Sequence, residues 1–516
     1  MFTVVAPSSS VLPFVRALAV ATLLFAHAAH AQSIAFPWSS HGHDPQHTGL
    51  SQHACQPLNR ILWQAPVDLT PQYSGTELLA HYGSPLITRQ NTVIFPVKTA
   101  ANSGFQIEAH AGQSGALVWK QTTDYVAPAH DWFPPCGIAL TPKNRLYYPG
   151  AGGTVYFRDN PESPTAPPGG TGQIAFYGTA AYQANPATYT SNVEINTPIT
   201  ADRYGNIYFG FVATGPTSKN LVSGIATITI DGAGTWVSAA SAAADPSIVE
   251  PVQNCAPALS NDHRTLYIAV SYGSYSGGYL LALDTVTLAT TGKVRLKDVD
   301  SPVSDAVLPD NGTASPTIGP DGDVYFGVLE DPLSSNHYRG WLLHFNKTLS
   351  QAKLPGAFGW DDTPSIVPAS LVPGYDGPSS YLLLTKYNNY AQAGGGGANK
   401  VALLDPDVSE VDSVTGALVM NEVLTQLGPT PDPGFPNTPG AVREWCVNTV
   451  AIDPFTKCAV VHNEDGNVYR WDFASNSLTQ TLNVSTGLGS AYTPSVIGVD
   501  GTAYVIANAT LFALGQ

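Results

Sequence analysis

Charge is scarce in this chain of 516 residues: charged side chains make up 12% of it, and 22 Lys and Arg face 38 Asp and Glu, for a net −16. A phosphate-binding surface needs clustered Lys and Arg, so no nucleic-acid partner is expected. Cysteine is sparse as well, at five. That excludes a disulfide-built scaffold, and without any CxxC spacing there is no haem-attachment site of the CxxCH type. No apolar stretch approaches the roughly 18 residues of a membrane-spanning helix. A P-loop, a G-x-S-x-G elbow and a dinucleotide fingerprint are missing from suitable contexts, and the Gly394 to Gly397 run lies between strands, where no helix follows to cradle phosphate. What remains is 43% apolar and rich in turn formers, with 48 Gly and 42 Pro, a balance that favours an all-β chain with a large core.

The amino terminus carries one basic residue, Arg16, then an apolar run from Ala17 to Ala26 and the small-x-small sequence Ala29-His30-Ala31. This pattern predicts a signal peptide over 1–31, cleaved after Ala31, and hence a secreted or periplasmic protein. No Cys follows the cleavage point, which argues against a lipid anchor.

A repeat dominates the rest. A small or polar residue, x-Pro or a near equivalent, and a short apolar strand begin at Gly83 (GSPLI), Cys136 (CGIAL), Asn196 (NTPIT), Cys255 (CAPAL), Ala314 (ASPTI), Asp362 (DTPSI), Cys446 (CVNTV) and Tyr492 (YTPSV). A turn and a second strand, mostly centred on an aromatic, follow each start, as in Leu146-Tyr147-Tyr148 or Val324-Tyr325-Phe326, and a third strand and in most copies a fourth complete the unit. Four short antiparallel strands per repeat predict propeller blades. The eighth copy runs out of chain before its fourth strand, and the orphan strand Arg60-Ile61-Leu62-Trp63-Gln64 can supply it, hiding an edge that a closed ring must not expose. The expectation is a single eight-bladed β-propeller over 59–516, preceded by a leading segment, 32–58, and closed by an N-terminal strand in the C-terminal blade. A tandem of two-sheet sandwiches would also give many short strands, but not an eightfold Pro-phased repeat.

These residues resemble the quinoprotein alcohol dehydrogenase-like propellers built from pyrroloquinoline quinone (PQQ) repeats. The stretch from Trp38 to Ser51 is similar to the Trp and Thr-Gly segment that often precedes their first blade. Ala109 to Trp119, AHAGQSGALVW, resembles their tryptophan-docking pattern A-x-D-x-x-x-G-x-x-x-W, with Ala111 in place of the Asp. The resemblance implies fold more strongly than activity. Catalytic members usually hold the quinone between a Trp and a vicinal Cys pair, and no two cysteines here are adjacent. By position in the repeat, the resemblance implies Glu194 and Asn254 as calcium ligands and Asp310 as catalytic base, should the chain be a PQQ- and calcium-dependent dehydrogenase of an alcohol or sugar.

Without the resemblance, the residues point to binding. The long connections between second and third strands share a propeller face with the segments that lead into the inner strands. Those segments supply His81, Asp131, Trp132, Glu194, Asn254, Asp310, Asp361, Asp362, Arg443, Glu444 and Trp445, expected to form a polar, aromatic funnel at the ring axis. Carboxylates crowded on one axis can hold a cation or raise one another's pKa, although inner-strand ends also simply need polar caps. The first reading is therefore a ligand- or partner-binding propeller with no cofactor demanded by the residues themselves; the dehydrogenase and an envelope assembly scaffold are the alternatives. His41-Gly-His43 has zinc-binding spacing, but its place in the leading segment favours a capping turn. Cys136, Cys255 and Cys446 share the first repeat position and should ring the channel as packing residues, a soft-metal site being the alternative, and a Cys55 to Cys458 bridge is expected to tie the leading segment to blade 7. Sequons stand at Asn311, Asn346, Asn483 and Asn508.

Overall fold

The computed structural model describes residues 38–75, 77–101, 103–485 and 493–516. The expected signal peptide and the Tyr492 repeat start lie outside the described residues. Eight antiparallel sheets follow one another along the chain, one per repeat. The second strands coincide with the aromatic-centred stretches, for instance Arg145–Pro149, Ile207–Ala213, Thr265–Ser271 and Tyr381–Tyr387. These strands are buried on both faces because each blade packs against a neighbour on either side, which explains their continuous apolar character. Outer strands face water on one side and alternate accordingly, as in Thr290–Arg295 and Ser477–Asn483.

Ring closure is as expected. Arg60–Pro66 pairs antiparallel with Thr510–Gly515, Arg60 opposite Gly515 and Pro66 opposite Thr510, and so becomes the fourth strand of blade 8. Trp63 then stitches blade 8 to blade 1 by donating from Nε1 to the Gly112 carbonyl at 2.6 Å. Gly115 is required beside it: its φ is +68°, and a Cβ there would lie 2.7 Å from the Trp63 ring. Trp119 does for blades 1 and 2 what Trp63 does at the seam, donating to the Pro161 carbonyl at 2.6 Å beneath the Arg158 guanidinium.

Blade 5 departs from the four-strand pattern. It has Thr317–Ile318, Val324–Val328 and Trp341–Phe345, and beyond them only isolated bridges to Ala352 and Gly356. Blade 6 carries the longest hairpin, Lys400–Val411 with Leu418–Leu427. Short helices, Thr179–Ala184 and Pro186–Asn192 before blade 3 and Ala239–Ala243 before blade 4, occupy the connections between blades.

The leading segment winds past the inner strands and caps them. Backbone carbonyls of Trp38, Ser39, Pro45, Gln46, Thr48 and Gly49 accept in turn from the N–H groups of Ile87, Leu140, Leu259, Ile318, Ile366 and Ile452, at 2.7–3.0 Å. Six blades are thereby satisfied by one extended strip, which answers the free edges of strands only two to four residues long. His41, His43 and His47 are buried within this cap; burial lowers the pKa of His41 to about 3 and of His47 to about 4, and His47 Nδ1 meets the Pro316 carbonyl at 2.7 Å. The capping turn is what they form, and among the described residues they are not part of a group placed to share a metal ion.

One expectation is corrected. All five cysteines are buried and none is in a disulfide, so the Cys55–Cys458 bridge is absent. Each thiol of that pair is engaged locally instead, Cys55 Sγ with the Gln56 carbonyl and Cys458 Sγ with Thr456 Oγ1, both at 3.2 Å.

Candidate functional site

The segments leading into the inner strands meet at the ring axis. In blade 1 the stretch before Gly83 pairs with Phe133 of blade 2: His81 N donates to the Phe133 carbonyl at 2.7 Å, and Phe133 N to the Leu79 carbonyl at 3.0 Å. This pairing lays the His81 ring on Trp132, with centroids 5.3 Å apart. His81 Nε2 then meets the Asn311 carbonyl at 2.7 Å. Blades 1 and 5 stand opposite in an eight-membered ring, so this bond spans the axis. Burial lowers the His81 pKa, and the Asp361 carboxylate and the Asn311 carbonyl oppose the fall.

Beside His81 lies a buried network from blades 5, 6 and 7. Asp361, at φ +48°, accepts from Thr313 N at 2.5 Å and Thr313 Oγ1 at 2.6 Å, and its other oxygen faces Lys386 Nζ at 3.7 Å. Asn448 reaches Thr313 Oγ1 from blade 7. Asp362 accepts from Thr385 and is wholly buried, and burial pushes its pKa up to about 7 even with Lys386 nearby. Lys386 is itself fully buried and is the one cation of the strand Tyr381–Tyr387, so two carboxylates share its charge.

Asn254 sits at φ +63°, a conformation Asn tolerates better than most residues, and its Nδ2 donates to the carbonyls of Asp310 and Gly312 at 3.4 and 3.0 Å. Asp310 Oδ1 is buried with no hydrogen-bond partner among the described residues. Burial raises the pKa of the Tyr275 hydroxyl, a hydrogen bond with the Asn311 side chain opposes the rise, and the Asp310 and Asp131 carboxylates add to it. Asp131 is exposed. Glu194 stands on Val193–Ile195, a short strand added to blade 3, and burial alone raises its carboxyl. The site residues of blades 1, 2, 4, 5 and 6 thus converge, while Glu194 is held by a separate extension of its blade.

Blade 7 contributes a different chemistry. Arg443 pairs with Asp432 at 3.7 Å, and Trp445 is fully buried, joined to Asn388 through its backbone in both directions. Glu444 accepts from Gln392 Nε2 at 3.1 Å, and burial together with the Glu464 carboxylate pushes its pKa up to about 8. Cys446 Sγ lies 3.1 Å from Glu464 Oε1. Ligand atoms of Glu444, Cys446 and Glu464 lie within 4.8 Å of one another, the one group of three among the described residues able to share a metal ion.

A narrow, solvent-open cleft lies between blades 4, 5 and 6. Val252, Leu308, Phe326 and Val328 form its apolar walls, Trp360, Asp361 and Gln253 add polar and aromatic edges, and Pro309 and Gly312, on either side of Asp310 in the chain, also line it. Trp360, Thr313, Lys386, Asn448, His462 and Glu464 were not foreseen. Lys386 had a visible trace, a cation within the apolar run Tyr381-Leu-Leu-Leu-Thr-Lys-Tyr387; the others look like ordinary loop and strand residues until the ring assembles.

No protein-family model matches the sequence, and no curated protein matches it. Solved structures similar to this chain include a europium-containing methanol dehydrogenase, at 8% identity and TM-score 0.55 over 91% of this chain and 89% of the other. Quinohemoprotein alcohol dehydrogenase from Comamonas testosteroni aligns at 12% identity and TM-score 0.53, over 94% and 82%. BamB from Moraxella catarrhalis aligns at 14% identity over 84% and 96%, with a TM-score of 0.42. At such identities the likeness is one of fold, and the fold is the eight-bladed propeller.

Proposed function

We propose that the protein is an exported binding propeller that takes a small hydrogen-bond-donating ligand, a polyol or an amine, at the loop-rich mouth of its channel. The observation that carries this reading is Asp310 Oδ1, a carboxyl oxygen buried without a partner on a residue flanked in the chain by two that line a cleft with apolar walls and a half-buried Trp360. A carboxyl oxygen buried without a partner costs free energy until a donor reaches it, and a bound hydroxyl or ammonium group would be that donor. His81, Asp131, Trp132, Asn254, Asp361 and Asp362 would shape the mouth around it. Export is supported by the amino-terminal pattern alone. Among the described residues, no helix is long and apolar enough to cross a membrane.

The dehydrogenase reading draws support from the same oxygen, since Asp310 is free to act as a base and Asn254 touches its backbone. The rest of the donor set fits poorly. PQQ is a tricarboxylate, and the nearby cations are committed elsewhere: Lys386 to Asp361, Arg339 to Asp412 at 2.7 Å and Arg443 to Asp432. Glu194, the residue that would complete a calcium site, stands on the separate strand Val193–Ile195 of blade 3. Calorimetric titration with a panel of polyols, sugars and amines, and separately with PQQ with and without calcium, tests both readings. Binding of a panel member that weakens at least tenfold in Asp310→Asn and Trp360→Ala supports the first. Calcium-dependent PQQ binding with dye-linked turnover would replace it with the second.

A further inference from the structure

On blade 7 the strand-like segments around Trp445 and Asn463 run antiparallel, joined by a bridge between those two residues and by Glu464 N donating to the Glu444 carbonyl at 3.0 Å. This register sets Glu444 directly opposite Glu464 and Cys446 directly opposite His462. Residues two apart on a strand share a face, so all four side chains stand on one side of the ribbon, in two opposed pairs whose Cβ atoms are about 4.5–5.5 Å apart.

His462 is the independent observation. It is 2% exposed, and neither ring nitrogen completes a hydrogen bond. The Cys446 backbone approaches closely enough to oppose part of the burial-driven fall in its pKa, without satisfying the ring. Together with Glu464 it lines a small cavity beside Gly466 and Asn467. Its ring nitrogens lie outside the 4.8 Å group that Glu444, Cys446 and Glu464 already form, but it stands on the same face of the ribbon opposite Cys446, so that a turn of the imidazole would complete the donor set of a metal centre.

We propose that Glu444, Cys446, His462 and Glu464 form a binding site for one divalent transition-metal ion of the zinc class. One sulfur, one imidazole nitrogen and two carboxylate oxygens suit a tetrahedral borderline cation, and a hard ion such as calcium would find too few oxygens. Gln392 holds Glu444 in place from outside, as the partners of metal ligands commonly do. Lys386, paired with Asp361 at 3.7 Å, is the cation neighbouring the site. Binding displaces the Cys446 thiol proton to solvent as the sulfur bonds to the metal. The inference is independent of the ligand proposed for the channel mouth.

The test is cobalt(II) titration of the chelator-stripped full chain. The expected result is one cobalt per chain with thiolate-to-metal charge-transfer absorption, displaced stoichiometrically by zinc. Cys446→Ser should abolish that absorption and weaken binding by about 100-fold or more, the upper figure for loss of a ligand's supporting partner being the lower bound for a ligand. His462→Gln should weaken binding comparably while keeping the absorption, and Cys255→Ser should change neither. If Cys446→Ser fails to fold, Glu464→Gln takes its place, with at least tenfold weaker binding expected. Absence of stoichiometric binding, or a cobalt complex indifferent to Cys446, His462 and Glu464, overturns the proposal.

Discussion

The two ends of the channel are built by opposite means. At one end the leading segment closes six blades chiefly with backbone carbonyls, its side chains serving to hold the strip's own turns and a few strand carbonyls. At the other, His81, Thr313, Asp361, Lys386 and Asn448 meet through side chains that cross between nonadjacent blades. The first needs a strip of the right length whose turns, at Gly42, His43, His47 and Gly49, point its carbonyls at the strands. The second needs particular functional groups, each dependent on its partners. Closure belongs to the backbone-capped end, and the chemistry, including the cleft beside Asp310 and the thiol, imidazole and carboxylates of blade 7, belongs to the other.

The sharpest way to break this contrast is Lys386→Met. It strands Asp361 and Asp362 in the interior without their cation, and removing one partner of a buried pair costs about 3–5 kcal/mol. Adding Asp361→Asn should recover part of the loss, as urea unfolding of both variants will record.

At the capped end, Gly49→Val should cost about 3 kcal/mol, because φ is +64° and a Cβ there would stand 2.5 Å from the Val450 carbonyl and 2.7 Å from Ser365 Oγ. Gly75, at φ +63° with open space around it, provides the control: Gly75→Ala should cost no more than about 1–2 kcal/mol from the backbone alone. Equal losses at Gly49 and Gly75 would mean that the cap is not tightly seated.

Asp362 gives the loop-rich end a dependence on pH. Its carboxyl titrates near 7 when folded and near 3.8 when unfolded, so the folded state holds the extra proton between those values. The associated stability is present in full below about pH 4, falls as pH rises towards 7, and is gone above it, at about 1.4 kcal/mol per pH unit. Urea midpoints across this range should fall less steeply in Asp362→Asn than in the wild type. An identical slope would place Asp362 in contact with water.

The smallest effect concerns the seam between leading segment and blade 7. Protein prepared without reductant and unfolded in denaturant should titrate five thiols. A count lower by two would restore the Cys55–Cys458 bridge.

The blades were readable because six of the eight repeats begin with the same phased Pro, and most place a strand, mostly centred on an aromatic, at a nearly constant distance later. The closing strand was readable because Arg60-Ile-Leu-Trp-Gln64 reads as a strand ahead of the first repeat with no blade of its own. The three-stranded blade 5 was not, since 346–358 has the length for a fourth strand and only the packing shows it bridging at single residues. Of the site, the leading positions such as His81 and Asp361 could be named from their phase in the repeat. Their partners could not: His81 and Asn311 are 230 residues apart, and Asn448 and Thr313 are 135.

The sequence by itself determined the architecture: the number of blades, the identity of the buried strands and the seam at which the ring closes. These follow from local periodicity, because a strand packed on both faces must be apolar throughout and a turn must recur where the strands end. Only the tertiary structure decided which polar groups meet. Ring closure brings residues from opposite blades to one axis, and the register of the Trp445–Asn463 ribbon sets Cys446 against His462; neither distance is written in the spacing of the residues along the chain.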